Sequence, residues 1–320
     1  MIQASGIESG HNPEILNITH PEIIIDIHRQ YVESGSDIFC TNTFGANSYK
    51  LKDSGYSVDE IIKAGVANAK KAADGKALVA LDLGPIGQLL EPTGTLTFEE
   101  AYNCYKEMII AGSEADLIVI ETMTDIYEVK AAVLAAKENS DKPIFCTMTF
   151  EESGRTFTGV SVECMATVLQ GLGVDALGVN CSLGPDALYP VAEKLVKLTG
   201  LPVIMKPNAG LPDPVTNKFN VGADEFAESA AELAKLGVKI FGGCCGTTPA
   251  HIKALKEKLS QIEWKKPEYT PVAAVCSGTR YVDISQPRVI GERINPTGKK
   301  LFKEALLNND INYILNQAIE

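Results

Sequence analysis

The chain has 320 residues, 45% of them hydrophobic, enough to bury a large core in one (β/α) barrel or two smaller domains. Its 29 basic against 41 acidic residues leave a net charge of −12, which repels nucleic-acid backbones and anionic membrane surfaces and argues against both as partners. No basic-then-apolar leader opens the sequence, and no run approaches the roughly 18 apolar residues of a membrane span. A cytoplasmic location is therefore expected, where the eight cysteines stay reduced and any cluster of them points to metal or catalysis.

In chain order, residues 1–19, with Gly6, Gly10, Asn12 and Pro13, read as a long loop, and "PEIIIDIHRQYVESG" (21–35) predicts a helix. Seven short β-rich runs follow: "DIFCTNT" (37–43), "ALVALD" (77–82), "DLIVIE" (116–121), "PIFCTMT" (143–149), "ALGVNC" (176–181), "PVIMKP" (202–207) and "KIFGG" (239–243). Helical patterns separate them. Ser57 with Glu60 and Thr97 with Glu100 are spaced for capping boxes, Thr248 before Pro249 suits an N-cap and first turn, and Ile126, Val129, Val133 and Ala136 share one helical face.

Repeated βα units predict a parallel sheet. A closed (β/α)8 barrel needs eight strands, yet the helix at 21–35 already precedes the first of these seven, as if one unit had kept its helix and lost its strand. The expected fold is α/β: a (β/α)8 TIM barrel lacking its first strand.

In such barrels chemistry sits at the C-terminal ends of the strands. The polar residues expected there are Asn42, Thr43, Asp82, Glu121, Thr149, Asn180, Asn208 and three cysteines, Cys181, Cys244 and Cys245. Adjacent strand side chains point to opposite faces, so the vicinal pair can reach one ion only where the strand has ended, and Gly242, Gly243 and Gly246 give the backbone that freedom. Three thiolates suit Zn2+ and leave a fourth position for an incoming thiol, which points to S-alkylation. Spacing alone is weak evidence, because Cys181 is far from the pair in sequence. Cys40, Cys104, Cys146, Cys164 and Cys276 read as small core residues. The histidines His11, His20, His28 and His251 fall in loops and helices away from strand ends and are not expected as ligands or bases.

"GVNCSLGP" (178–185) together with "GGCCGTTPAHI" (242–252) resembles the homocysteine-binding module of the homocysteine S-methyltransferases, a zinc (β/α)8 barrel. "YVESGSDIFCTNTFGAN" (31–47), "LDLGPIGQ" (81–88), "IVIETMTDIYEVKAAV" (118–133), "GRTFTG" (154–159) and "PNAGLP" (207–212) add to the likeness. The tail "VIGERINPTGKK" (289–300) resembles the opening of the methyltetrahydrofolate-binding barrel that follows this module in the cobalamin-dependent methionine synthases.

The resemblance implies that Cys181, Cys244 and Cys245 are zinc ligands and that Glu121 receives the substrate ammonium. Asp82, Asn180, Asn208 and Thr43 are further substrate-site candidates. It implies homocysteine as substrate and Zn2+ and methylcobalamin as cofactors, the latter on another module or protein and regenerated from methyltetrahydrofolate. The organisation expected is a homocysteine-binding zinc barrel over 1–262, a linker over 263–287 and, over 288–320, the truncated start of a pterin-binding domain. Asn295 there matches a pterin-contacting position without the rest of its site. Two other readings stay open: a zinc-binding fragment without catalysis, and a homocysteine methyltransferase using another donor.

Overall fold

The computed structural model describes residues 1–2, 12–213, 216, 219–291 and 294–319. They divide into two units, Met1–Val282 and Asp283–Glu320. In the first, seven parallel strands form a curled half-barrel in sequential order: β1 (Ile38–Cys40), β2 (Leu78–Leu83), β3 (Leu117–Met123), β4 (Ile144–Met148), β5 (Ala176–Asn180), β6 (Val203–Lys206) and β7 (Ile240–Phe241). All seven fall within the runs read from sequence or within two residues of them. The edge strands β1 and β7 are the most shortened, as expected of strands paired on one side only.

A helix follows each strand: α3 (Val58–Ala73), α4 (Phe98–Ala111), α5 (Ile126–Asn139), α6 (Val162–Leu172), α7 (Pro185–Leu198), α8 (Ala223–Leu236) and α9 (Pro249–Leu259). Ser57 and Thr97 make the expected capping boxes with Glu60 and Glu100. Thr248 caps α9 with His251 in the position usually held by Glu or Gln, Thr248 N donating to His251 Nδ1 at 3.2 Å. Ile126, Val129, Val133 and Ala136 are all buried, so α5 seats its apolar face on the sheet. Between β5 and β6 the backbones approach closely at Gly178, where a Cβ would stand 1.9 Å from the Ile204 carbonyl oxygen.

The N-terminal segment differs from the loop expected over 1–19. Pro13–Ile15 forms a 3-10 turn capped by the Asn12 side chain and runs into the short helix α1 (Leu16–Thr19), which Asn17 ties to the Asn42 carbonyl at 2.8 Å. A four-residue helix is too short to show a periodic apolar face, which is why the sequence pattern missed it. The part of that loop over 3–11, with His11, lies outside the described residues. α2 (Pro21–Glu33) then leads into β1.

Among the described residues no strand stands between β1 and β7. Helices bridge this side instead: Tyr31 of α2 donates to the Thr247 carbonyl at 3.3 Å, and Lys256 of α9 pairs with Asp37 at 2.6 Å.

The segment read as a linker carries a short ribbon, β8 (Ala274–Cys276) and β9 (Tyr281–Asp283). Cys276 Sγ lies 3.8 Å from the Cys164 carbonyl of α6, and the Trp264 indole donates to the Gly237 and Val238 carbonyls at 3.2 and 3.1 Å. In the second unit the tail forms two helices, α10 (Lys300–Leu307) and α11 (Ile311–Ile319), with the buried Phe302 ring 6.1 Å from Tyr313.

His28 gives this half of the barrel a pH dependence. It is buried in α2 against Phe39, its Nε2 has no hydrogen-bond partner among the described residues, and burial lowers its pKa from 6.5 to about 4. A histidine lowered on folding binds its proton more tightly when unfolded, so its contribution to stability is complete above 6.5 and is lost as the pH falls toward 4. Urea unfolding of the parent and of His28→Gln across that window should show the parent losing up to about 1.4 kcal/mol more per pH unit.

Candidate thiol and substrate site

The three cysteines meet because two strands stop where they do. β5 ends at Asn180, and the chain turns through the left-handed region at Cys181 (φ 63°) and Ser182 (φ 62°). Neither is glycine, so the turn costs about 1 kcal/mol or more per residue and must be held from outside. Cys181 N donates to the Lys206 carbonyl at 3.0 Å and Asn208 N to the Leu183 carbonyl at 3.0 Å, locking the turn to the end of β6.

From β7 the chain passes Gly242 and Gly243. Cys244 N donates to the Pro207 carbonyl at 2.9 Å, and Cys245 N to Asn208 Oδ1 at 3.0 Å. At Gly243 a Cβ would stand 2.3 Å from the Thr247 hydroxyl oxygen, so the vicinal turn needs glycine there. The three sulfurs then lie within 4.8 Å of one another, with Cys181 Sγ and Cys245 Sγ 3.8 Å apart. Hydrogen bonds from Cys244 and Cys245 lower the Cys181 pKa, and that bond raises the pKa of its partner Cys244.

Asn180 is fully buried and its amide is used on all sides. Its Oδ1 accepts from Thr122 N at 2.8 Å and Thr147 Oγ1 at 2.7 Å, and its Nδ2 donates to Thr122 Oγ1 at 2.8 Å and faces Cys244 Sγ at 3.8 Å. It joins the ends of three strands to the vicinal cysteine loop. Thr122, beside Glu121, is itself left-handed at φ 61°.

A cavity of about 360 Å³ opens beside the sulfurs, lined by Cys244, Glu121, Lys206, Cys40, His28 and Tyr31 with apolar walls from β1, β4 and α2. Lys206 donates to Glu121 Oε2 inside it. Burial by itself would lower the Lys206 pKa, but the surrounding anions, Glu121 first, hold it above the usual lysine range. Cys40, Asp82 and Glu121 bring their ligand atoms within 4.8 Å of one another. Asp82 Oδ1 is buried with no hydrogen-bond partner among the described residues, and burial, then the Glu121 charge, pushes its carboxyl well above the usual range.

The sequence candidates thus divide. Cys181, Cys244 and Cys245 come together, Glu121 lines the cavity, and Asp82 lies buried beside Glu121 and Cys40. Asn208 and Asn180 hold the cysteine loops. Thr43 is fully buried, its hydroxyl donating to the Asp82 carbonyl at 2.8 Å. Among the described histidines, His251 caps its helix and also meets the Val221 carbonyl at 3.1 Å, while His28 lines the cavity.

Cys40, read as a core residue, packs against the buried Ala80, Leu117 and Val119 and also lines the cavity, and burial pushes its thiol pKa up. Lys206 is absent from the candidates that the sequence pattern offers. Its signal was present: in "PVIMKP" a lysine two residues after Ile204 shares the barrel-interior face, where an ammonium requires an anionic partner.

Three thiols thus meet beyond the C-terminal ends of the strands of a parallel α/β sheet, beside a cavity that holds a lysine and a glutamate. The chain belongs to the homocysteine S-methyltransferase family, whose model matches residues 1–259. It is 34% identical to methionine synthase of Mycobacterium tuberculosis and 31% identical to that of Mycobacterium leprae, each match covering 95% of this chain but 27% of the relative, so it spans about a quarter of their length. The homocysteine methyltransferase MmuM of Escherichia coli has a similar fold. Its oxidised form aligns with TM-score 0.71 at 22% identity over 80% of this chain and 92% of that one, and its metallated form with TM-score 0.70 at 23% identity over the same shares.

Replacing Asn180 with Leu keeps the volume but leaves Thr122 N and Thr147 Oγ1 without their acceptor. Each orphaned group costs about 1–3 kcal/mol. Urea unfolding of Asn180→Leu should therefore show a loss of at least that size, whereas Asn42→Leu, at a partly exposed position, should lose less.

Proposed function

We propose that this chain is the homocysteine-activating part of a methionine synthase, using zinc held by Cys181, Cys244 and Cys245. The observation that carries the reading is the sulfur geometry. Ligand sulfurs about 2.3 Å from a tetrahedral zinc stand roughly 3.8 Å apart; Cys181 Sγ and Cys245 Sγ stand at 3.8 Å, and the third sulfur, of Cys244, belongs to a residue lining a cavity that also holds Glu121. Zinc, when bound, supplies a soft Lewis acid whose fourth position accepts the substrate thiol and keeps it deprotonated at neutral pH.

The chain's own residues do the rest. Cys244 opens on the cavity, so the substrate sulfur enters from that side. Glu121 offers a carboxylate to the substrate ammonium, and Asp82 Oδ1 offers a second acceptor in want of a donor. Asn180 and Asn208 keep the two cysteine loops in register, and the apolar walls shelter the thiolate from water.

Methylcobalamin, carried by another module or protein and regenerated from methyltetrahydrofolate, is the proposed donor. Support comes from the match to the mycobacterial methionine synthases, which covers 95% of the chain and so runs past residue 259, where the family model ends. On this reading residues 288–320 begin the pterin-binding domain, and the protein works in the reducing cytoplasm, where its thiols stay free for metal. No described helix is long and apolar enough to cross a membrane.

Metal analysis and methyl transfer test the proposal together. The purified chain should hold one zinc, lose it in Cys181→Ala, Cys244→Ala or Cys245→Ala, and keep it in Cys40→Ala. Homocysteine methylation with free methylcobalamin should follow zinc content; zinc retained by all three variants would refute the ligand set. A methyl sulfonium or betaine outperforming methylcobalamin would refute the donor.

For Glu121→Gln, calorimetric titration of the zinc-loaded protein should show homocysteine binding weakened by about 1.5–3 kcal/mol, the range for a hydrogen bond to a charged group. Zinc content should not change.

A further inference from the structure

We propose that Lys206 receives the α-carboxylate of the amino-acid thiol, so that the cavity recognises both charges of a zwitterion. This rests on the functional reading above and extends it to the other end of the substrate. Lys206 closes β6 on the same face as Ile204, and both line the cavity with Glu121 and Cys244. Its side chain is 18% exposed and that of Glu121 11%, so the pair sits largely out of water.

A lysine ammonium has three donors. Among the described residues Glu121 is the hydrogen-bond acceptor it reaches. An ammonium held out of solvent gains from every further acceptor, and an anionic one contributes most. Asp82, whose ligand oxygen lies within 4.8 Å of that of Glu121, keeps Oδ1 buried with no hydrogen-bond partner among the described residues.

A zwitterionic amino acid supplies both missing partners. Its ammonium fits between Glu121 and Asp82 and gives Oδ1 its donor, while its carboxylate takes the unused N–H groups of Lys206. The charges then alternate along the cavity: substrate carboxylate, Lys206, Glu121, substrate ammonium. The thiol is left to face Cys244. An aminothiol without the carboxylate would add a second cation beside Lys206 and no anion. A mercapto acid without the ammonium would leave Asp82 Oδ1 orphaned. The cavity therefore selects α-amino-acid thiols over either half-charged analogue.

If Lys206 served only to neutralise Glu121, removing it would disturb all thiol ligands alike. Titration calorimetry on zinc-loaded protein separates the two roles, with L-homocysteine, 3-aminopropane-1-thiol and 4-sulfanylbutanoate as ligands. Zinc content is measured alongside, because the Lys206 carbonyl supports the Cys181 turn.

The parent chain is expected to bind homocysteine about tenfold or more tighter than 3-aminopropane-1-thiol, tenfold being close to the low end for a charge-assisted hydrogen bond. Lys206→Met should abolish that preference by weakening homocysteine while leaving the aminothiol unchanged or tighter. Lys206→Gln, which keeps a neutral donor, should reduce the preference and carries the test if the Met variant fails to fold. Equal binding of homocysteine and aminothiol by the parent, or an equal weakening of both in the folded variant, overturns the assignment of Lys206 alone. Failure of the zinc-loaded parent to bind any of the three thiols overturns the functional reading with it.

Discussion

The site depends on one buried amide. Asn180 stands at the end of β5, and its side chain spans from Thr122 after Glu121, through Thr147 on β4, to Cys244 beyond β7. A sheet closes its strand spacing by backbone pairing, but that pairing stops where the strands stop, and the chemistry begins just beyond. Something other than the ladder must fix the loops there. An uncharged side chain with two acceptor lone pairs and two donors does so without adding charge to a site already crowded with thiols and carboxylates.

Strain at this rim is consistent with that view. Thr122, Cys181 and Ser182 all adopt left-handed conformations without being glycine, and all three lie next to or within the groups proposed for substrate and metal. Such conformations persist only where surrounding contacts over-determine them. Here Asn180 holds Thr122 directly through both its backbone N–H and its hydroxyl, and Cys181 is pinned by the carbonyl of Lys206. One residue, Lys206, thus meets the cysteine turn through its backbone and Glu121 through its side chain.

Much of this was legible in the sequence. Alternating β-rich runs and capped helices specify parallel βα units locally, so the seven strands, the capping boxes of α3 and α4 and the buried face of α5 all appear where the pattern put them. The convergence of Cys181 with Cys244 and Cys245 followed from the barrel rule that strand ends share a rim. Less legible were features set by neighbours distant in sequence. Cys40 looked like any cysteine in an apolar run, because only the curl of the sheet turns its face toward Asp82 and Glu121. The Asn17–Asn42 contact that anchors α1 joins two loops with no periodic signal in either. Lys206 failed to stand out because a lone lysine at a strand end usually marks a solvated edge. Its partner, Glu121, is three strands away in the order.

The position of the cavity follows from the same geometry. Its walls include β1 and β7, the two strands with one unpaired side each, and the first contacts across that side come from α2 and α9 rather than from the sheet. The space inside the curl therefore reaches the cysteine rim from a side where no ladder fixes the walls. Charged groups can face such a space only if they compensate one another, since the apolar lining offers no hydrogen bonds. Lys206 and Glu121 do this for each other, and Asp82 is left with one oxygen unmatched. Lys206, with donors beyond the one Glu121 takes, shares this cavity with Cys244, so an anionic group entering beside the sulfurs meets a lysine already held in place by its carboxylate partner.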